Sequence, residues 1–412
     1  MLVRLPMVLV FSSVAALLAS CSSTQPVVNV SPSKPDNAEQ LAAGARTSPG
    51  NLNTLGTPGT PTSPALLAKQ LGGATINITR VTYASEGADF DPCISGNGSH
   101  LYFVSTQHRP TSDIYVKRVD SKVLTQLTSD PADDSMPAIS PDGTKLAFAS
   151  NRSGNWDIYI MPAAGGKAVQ VTGDASDETH PSWSPDGQRL VYCRYNDGGE
   201  SANRWELWIT KAGNNATANF IGYGVAPRWC PVAGTGENAS DKILFQLSRE
   251  RGRRGYGLWT LDYAEGISSN ITQIQGASDV ALLHPTWSAD GAFIAYSQVD
   301  LLDPANRADR PTNASLWMTS IAGDATVRLT SGEGAALSPA WSANNVLYYV
   351  SGRTGTDNIW ALELSPALGA AQAVLDLRAD PATTTTDAQA TTDARGTAQA
   401  DATTGPGTDP QN

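Results

Sequence analysis

One motif recurs six times between residues 92 and 342, and no other feature constrains the fold as tightly. Each copy opens on Pro-x-apolar followed by Ser or Cys: Pro92-Cys93-Ile94-Ser95, Pro137-Ala138-Ile139-Ser140, Pro181-Ser182-Trp183-Ser184, Pro227-Arg228-Trp229-Cys230, Pro285-Thr286-Trp287-Ser288 and Pro339-Ala340-Trp341-Ser342. In five copies a tight turn follows, as in Ser140-Pro141-Asp142-Gly143 and Ser184-Pro185-Asp186-Gly187, with Asn97-Gly98, Asp290-Gly291 and Asn344-Asn345 in the same place. These residues tolerate the positive φ that a two-residue hairpin demands. An apolar strand comes next (Leu101–Val104, Leu146–Ala149, Leu190–Cys193, Ile243–Leu247, Phe293–Tyr296, Val346–Val350). A third strand carries an aromatic at a fixed place: Tyr115, Tyr159, Trp208, Trp259, Trp317 and Trp360. A short fourth strand often reads Gln-Leu-Thr or similar, as at Gln126–Thr128, Gln170–Thr172, Asn270–Thr272 and Arg328–Thr330.

The unit is therefore four short antiparallel strands in roughly 45 residues, lengthened to 58 and 54 in the fourth and fifth copies. A four-stranded sheet alone exposes both faces. Six such sheets stacked radially, with Trp and Tyr between them, bury those faces and leave only short edges. A two-sheet sandwich does not explain the fixed order of elements. The expected fold is all-β, a six-bladed propeller over residues 76–378. Its closure has two candidates. Ile76–Tyr83, which contains Arg80-Val81-Thr82, matches the fourth-strand motif and is favoured to complete blade 6, and Ala373–Leu377 is the rival.

With Pro-x-Trp-Ser-Pro-Asp-Gly, Leu-Ala-Phe-Ala-Ser, Asp-Ile-Tyr and Gln-Leu-Thr in that order, the chain resembles the TolB-like propellers and their WD-like repeats, and more distantly those of prolyl-oligopeptidase-like enzymes. The resemblance spans about residues 76–377, and Pro137–Thr172 is among its best stretches. It implies fold and an envelope location, and a scaffold role with a protein partner such as a Pal-like one. TolB has a folded α/β domain before its propeller, where this sequence reads as a tether, so the family's particular task is not expected to carry over with the fold.

The ends point to the compartment. Arg4 precedes an apolar run, Leu5–Leu18, too short for a stable span, and the run ends in Leu18-Ala19-Ser20-Cys21. This looks like a bacterial lipoprotein signal over residues 1–20, with Cys21 as the lipidated first residue of the mature chain. Each buried CH₂ of an acyl chain contributes about 0.8 kcal/mol, so a multiply acylated cysteine holds a membrane. Ser22 at the following position favours the outer membrane, with the propeller facing the periplasm. Residues 21–75 are rich in Pro, Ser, Thr and Gly and read as a tether, with a short helix possible in Ala65–Gln70; residues 379–412 read as a Thr/Ala/Asp-rich tail. Cys93, Cys193 and Cys230 form no disulfide framework or zinc spacing, and they read as buried thiols. A net charge of −11 argues against nucleic acid as a partner.

Neither G-x-S-x-G nor H-E-x-x-H occurs, and the four histidines are scattered. No motif calls for a cofactor. Binding is the leading expectation, of an envelope protein or a glycan. Three residues before the opening proline stand Asp89, Asp134 and Glu178 in blades 1–3, against Gly224, Leu282 and Ala336 in blades 4–6. That predicts a funnel rim acidic on one half and apolar on the other, and Asp89, Asp134 and Glu178 carry the chemistry for a cation there. His180 and His284 directly precede their prolines and are expected to face the funnel. Arg249, Arg251, Arg253 and Arg254 in the blade 4 loop and the long loop from Asp300 to Asn313 are placed on the same face. Acidic residues before a propeller strand also cap turns, while Arg152 and Arg353 read as structural. The alternative function is a carbohydrate-active hydrolase or lyase whose site is built from loop residues such as His180 and His284, a reading that convergence of histidines and carboxylates in one funnel would favour.

Overall fold

A computed structural model describes residues 54–55, 76–198, 204–213, 217–248, 256–276, 279–303, 306, 311–332 and 334–379. The signal, nearly all of the tether, the Ala65–Gln70 segment and the tail beyond residue 379 lie outside these.

Six antiparallel sheets appear in sequence order, each with its first strand innermost. The innermost strands are Asp89–Ile94, Asp134–Ile139, Glu178–Trp183, Val225–Trp229, Val280–Trp287 and Leu337–Trp341. Each touches the next, and the last returns to the first, which closes the ring. Blade 6 takes its fourth strand from the N-terminal side, Ile78–Arg80, paired antiparallel with Trp360–Leu362. The rival segment Ala373–Leu377 lies instead in a helix, Ser365–Ala379. Contact density divides the chain after Ala371, so the ring and the first half of that helix form one compact unit. In blade 5, Thr54–Leu55 adds a short parallel pairing to the outermost strand.

The motif letters have specific physical duties. The Ser after the apolar position donates its hydroxyl to the turn carboxylate or amide and accepts the backbone N–H five residues on: Lys145 N to Ser140 Oγ, Arg189 N to Ser184 Oγ and Phe293 N to Ser288 Oγ are all 2.9 Å. Gly98, Gly143, Gly187 and Gly291 take φ near +70° at the turn, where a Cβ is strained. The Thr of the fourth-strand motif is a latch. Its hydroxyl accepts the N–H of the third strand at 2.9 Å in Thr128–Ile114, Thr172–Ile158 and Thr330–Leu316. Thr82 repeats the bond to Ile359 at 2.9 Å across the closure, and Val81 N bonds Ile359 O as Val171 N bonds Ile158 O. The N-terminal strand is thus a true fourth strand.

The apolar core is divided among the inter-blade spaces. Tyr102, Val104 and Ile114 of blade 1 pack on Leu146, Phe148 and Met161 of blade 2, and equivalent clusters join blades 2 and 3, 3 and 4, 4 and 5, and 6 and 1. Motif tryptophans tie neighbouring innermost strands together: Trp183 Nε1 donates to Ala138 O and Trp287 Nε1 to Arg228 O, both 2.9 Å. A buried indole needs such an acceptor. The fourth-blade insertion becomes longer strands, Tyr256–Ala264 and Ile267–Gln275, joined by a Glu265-Gly266 turn with both residues at positive φ.

Candidate functional site

The opening proline explains how the ring lines its axis. Every innermost strand shifts register across it, between Phe90 and Cys93, Ser135 and Ala138, Thr179 and Ser182, Val225 and Arg228, Leu283 and Thr286, and Leu337 and Ala340. Proline has no N–H to give to the ladder, so it belongs in a bulge. The preceding residue is at positive φ in all six blades: Asp91, Met136, His180, Ala226, His284 and Ser338, with φ from 47° to 56°. Such a conformation costs a non-glycine residue about 1 kcal/mol or more. A bulge re-aims side chains. The residue after the proline then sits between neighbouring innermost strands: Ser182 Oγ accepts Trp229 N at 3.0 Å and Cys93 Sγ accepts Ile139 N at 3.4 Å.

Around the axis these positions bring together a distinct set of groups. Arg228 of blade 4 stands between His180 of blade 3 and His284 of blade 5, and it is in Coulombic reach of Asp91 and Cys93 of blade 1, the opposite blade. Among the described residues no carboxylate lies within ion-pair distance of its guanidinium. Asp91 and Arg228 are half-buried, whereas His180 is 7% and His284 8% exposed. Burial, followed by the charge of Arg228, holds the His180 imidazole down to about 3 and that of His284 to about 4. Both rings are therefore neutral hydrogen-bonding groups near pH 7. Burial raises the Asp91 carboxyl to about 6 against the opposing pull of Arg228. His180 Nδ1 meets Thr179 Oγ1 at 3.1 Å and Cys193 Sγ at 3.6 Å. The backbone N–H of His284 donates to Gln246 Oε1 at 3.0 Å, while its buried Nδ1 has no partner.

The expected acidic rim is arranged differently. Asp89, Asp134 and Glu178 each begin an innermost strand, but they are 2%, 0% and 0% exposed and form no open rim. Strand pairing places them opposite Ser105, Ser150 and Arg194 of the second strands. Asp134 receives both Arg152 Nη2 contacts, at 2.7 and 2.9 Å, and Arg152 also caps the rings of Phe148 and Tyr159. Arg353 does the same over Tyr349 and Trp360. Both arginines are structural. Glu178 lies beside Thr172 and the Asp157 carboxylate, and burial pushes its carboxyl up to about 8. In blades 4–6 the equivalent places hold Gly224, Leu282 and Ala336, all buried. Arg249, Arg251, Arg253 and Arg254 lie outside the described residues, as do residues 304–305 and 307–310 of the Asp300–Asn313 loop. Among the described residues no three His, Cys, Asp or Glu side chains stand close enough to hold a metal ion.

His180 and His284 lie in Coulombic reach of one another and of Arg228, and not beside the three acidic strand starts. The sequence carried the signal for Arg228 and Asp91: they occupy the positions flanking the motif proline, where Arg228 is the one cation and Asp91 the one acid across six copies. Cys193 and His180 do not make a nucleophile pair. Burial pushes the thiol up to about 11 while the imidazole is held near 3, so neither ionises in the useful sense. Cys93, Cys193 and Cys230 are all free thiols, the first half-buried and the others buried.

Residues 61–211 match the family model described as PD40, TolB beta propeller domain. The solved structure of putative TolB from Agrobacterium tumefaciens aligns with a TM-score of 0.51 at 18% identity, covering 69% of this chain and 96% of that one. TolB from Acinetobacter baumannii aligns at 0.48 and 18% identity, over 62% of this chain and 57% of that one. An oligogalacturonate lyase from Vibrio parahaemolyticus aligns at 0.48 and 13% identity, over 71% and 95%. No curated protein sequence matches the chain. At such identities, the likeness to the Agrobacterium structure is one of fold.

Proposed function

We propose that this chain, a six-bladed β-propeller of the TolB type, is a non-catalytic binding module of the bacterial cell envelope, held to the outer membrane by lipid on Cys21 and facing the periplasm. Its ligand, a protein segment or a glycan, enters the central channel from the mouth. The observation that carries this reading is the axial set itself: a guanidinium with no ion-pair partner among the described residues, flanked by two neutral imidazoles, on a wall whose bulge residues are all in the costly left-handed conformation. Strain of this kind is retained where the surrounding structure needs a side chain aimed at one place. The Pro-, Ser- and Thr-rich stretch between Cys21 and Thr54, where the chain first pairs with blade 5, is the proposed length between anchor and ring.

A lyase or hydrolase is the second reading, and the convergence of His180, His284 and Asp91 on one axis favours it. Against it stands proton chemistry. A general base works best with a pKa near the operating pH, and imidazoles held near 3 and 4 are too weak for that role. Two experiments test the first reading. Cys21→Ser is expected to move the protein from the membrane to the soluble envelope fraction. Capture from envelope extracts is expected to lose its partner with Arg228→Glu and keep it with Lys122→Glu, an exposed site on blade 1. An unchanged set of captured species with Arg228→Glu contradicts a channel-borne site, and turnover of an acidic oligosaccharide by the purified protein contradicts the non-catalytic role.

A further inference from the structure

The ligand chemistry of the axial site follows from its charges. We infer that the channel binds a singly charged carboxylate carrying a hydroxyl or amide N–H next to it, with the carboxylate on Arg228 between His180 and His284 and the neighbouring donor toward Asp91. This rests on the channel as the binding site and names what it takes.

Four observations point there together. First, Arg228 has no ion-pair partner among the described residues, although its place is half-buried, and a guanidinium presents a planar fork that matches a carboxylate. Second, His284 Nδ1 is a buried polar atom with no partner on a side chain 8% exposed, and it lies in Coulombic reach of Arg228. A buried polar group left unsatisfied costs free energy that a ligand atom can recover. Third, the imidazoles add hydrogen-bonding capacity without adding charge, so the cationic wall offers one positive charge. Fourth, Asp91 is in Coulombic reach of Arg228 from the opposite blade and takes a backbone hydrogen bond from Met136, and as a carboxylate it accepts hydrogen bonds and repels a second negative charge. A dianion such as phosphate meets that repulsion in full, whereas a hydroxy- or amido-carboxylate meets a cation at one end and an acceptor at the other. Among the described residues, the titratable groups in Coulombic reach of Arg228 are Asp91 and Cys93 from blade 1, His180 and Cys193 from blade 3, and His284 from blade 5.

The test uses the full chain with labelled histidine, so that the imidazole resonances of His180 and His284 report the site while His100 and His108 of blade 1 serve as internal controls. L-lactate, N-acetylglycine, propionate and inorganic phosphate are titrated in turn at pH 7. Lactate and N-acetylglycine are expected to shift the His180 and His284 resonances with Kd in the ~millimolar range, as suits a single guanidinium contact. The order between them separates a sugar-acid type of ligand from a peptide carboxylate. Propionate is expected to bind several-fold more weakly, and phosphate more weakly still. Arg228→Gln is expected to weaken lactate binding about tenfold or more, and Asp91→Asn to raise the affinity for propionate and phosphate relative to lactate. If Arg228→Gln does not fold, the Asp91→Asn selectivity change still decides. No shift at either histidine, phosphate bound more tightly than lactate, or unaltered selectivity in Asp91→Asn overturns the inference. Envelope capture that depends on Arg228 without any carboxylate response leaves the binding module standing and removes only this ligand. Carboxylate binding without Arg228-dependent capture does the reverse.

Discussion

Glu178 shows what the ring wall demands of single residues. Its side chain is fully buried beside Thr172 and Asp157, and the carboxyl is raised from 4.5 to about 8, chiefly by burial, with the Asp174 and Asp157 carboxylates adding to it. The folded protein keeps this proton to about pH 8, whereas the unfolded chain releases it near 4.5. Folding stability from this group is therefore complete below pH 4.5 and falls as pH rises toward 8, at about 1.4 kcal/mol per pH unit and on the order of 3 kcal/mol by pH 7. Glu178→Gln keeps the shape without the charge. Thermal unfolding followed from pH 5 to 8 is expected to show the variant overtaking wild type as pH rises and losing most of that slope. Parallel curves for the two proteins contradict the buried neutral acid. Asp134, one blade earlier, meets the same burial with an arginine. The acidic residue before the motif proline was legible in the sequence, but its burial was not, because that depends on the second-strand residues the fold sets opposite it. Arg228 and Asp91 were hidden for a different reason: a lone cation and a lone acid in separate repeats gain meaning only when the ring sets them across one axis.

The elements repeat more faithfully than the residues. Strand count, the Ser-centred turn and the third-strand aromatic were all legible, because each is fixed by bonds within one repeat and leaves its pattern in adjacent letters. The Thr latch was legible as a motif without its reason, which is the hydroxyl accepting a third-strand N–H that the short fourth strand leaves open. The helix Ser365–Ala379 was not foreseen; its Ala-rich sequence favours a helix over the strand considered for Ala373–Leu377. The latch makes a paired prediction. Thr172→Val and Thr82→Val each remove one acceptor, half-buried at Thr172 and buried at Thr82, and are expected to cost about 1–3 kcal/mol in denaturant unfolding. Thr172 lies within a covalently continuous blade, while Thr82 joins the two ends of the ring. Limited proteolysis in native buffer is therefore expected to release the segment before residue 84 faster in Thr82→Val than in Thr172→Val. Equal rates contradict the closure by Ile78–Arg80.

At the scale of the whole molecule, the ring turns six weak sheets into one wall around an axis, and its closure by the N-terminal strand holds opposite blades at a fixed separation. Blades 1 and 4 face one another through Asp91 and Arg228, so the site exists only in the closed ring, and no single blade encodes it. This also explains why the repeat revealed the architecture readily and the site only in part. A ring carrying a cation with no ion-pair partner among the described residues is suited to hold a ligand, and the proposed lipid anchor and tether would keep that ring near its partner. The most direct measurement is photo-crosslinking in intact cells, with a photoreactive amino acid at Thr286, on the wall one proline beyond His284, or at Val123, 71% exposed on the outside of blade 1. The account predicts a discrete adduct from position 286 that Arg228→Glu abolishes, and none of the same mass from position 123. An adduct from 123 alone, or one from 286 indifferent to Arg228, would contradict a ligand held in the channel.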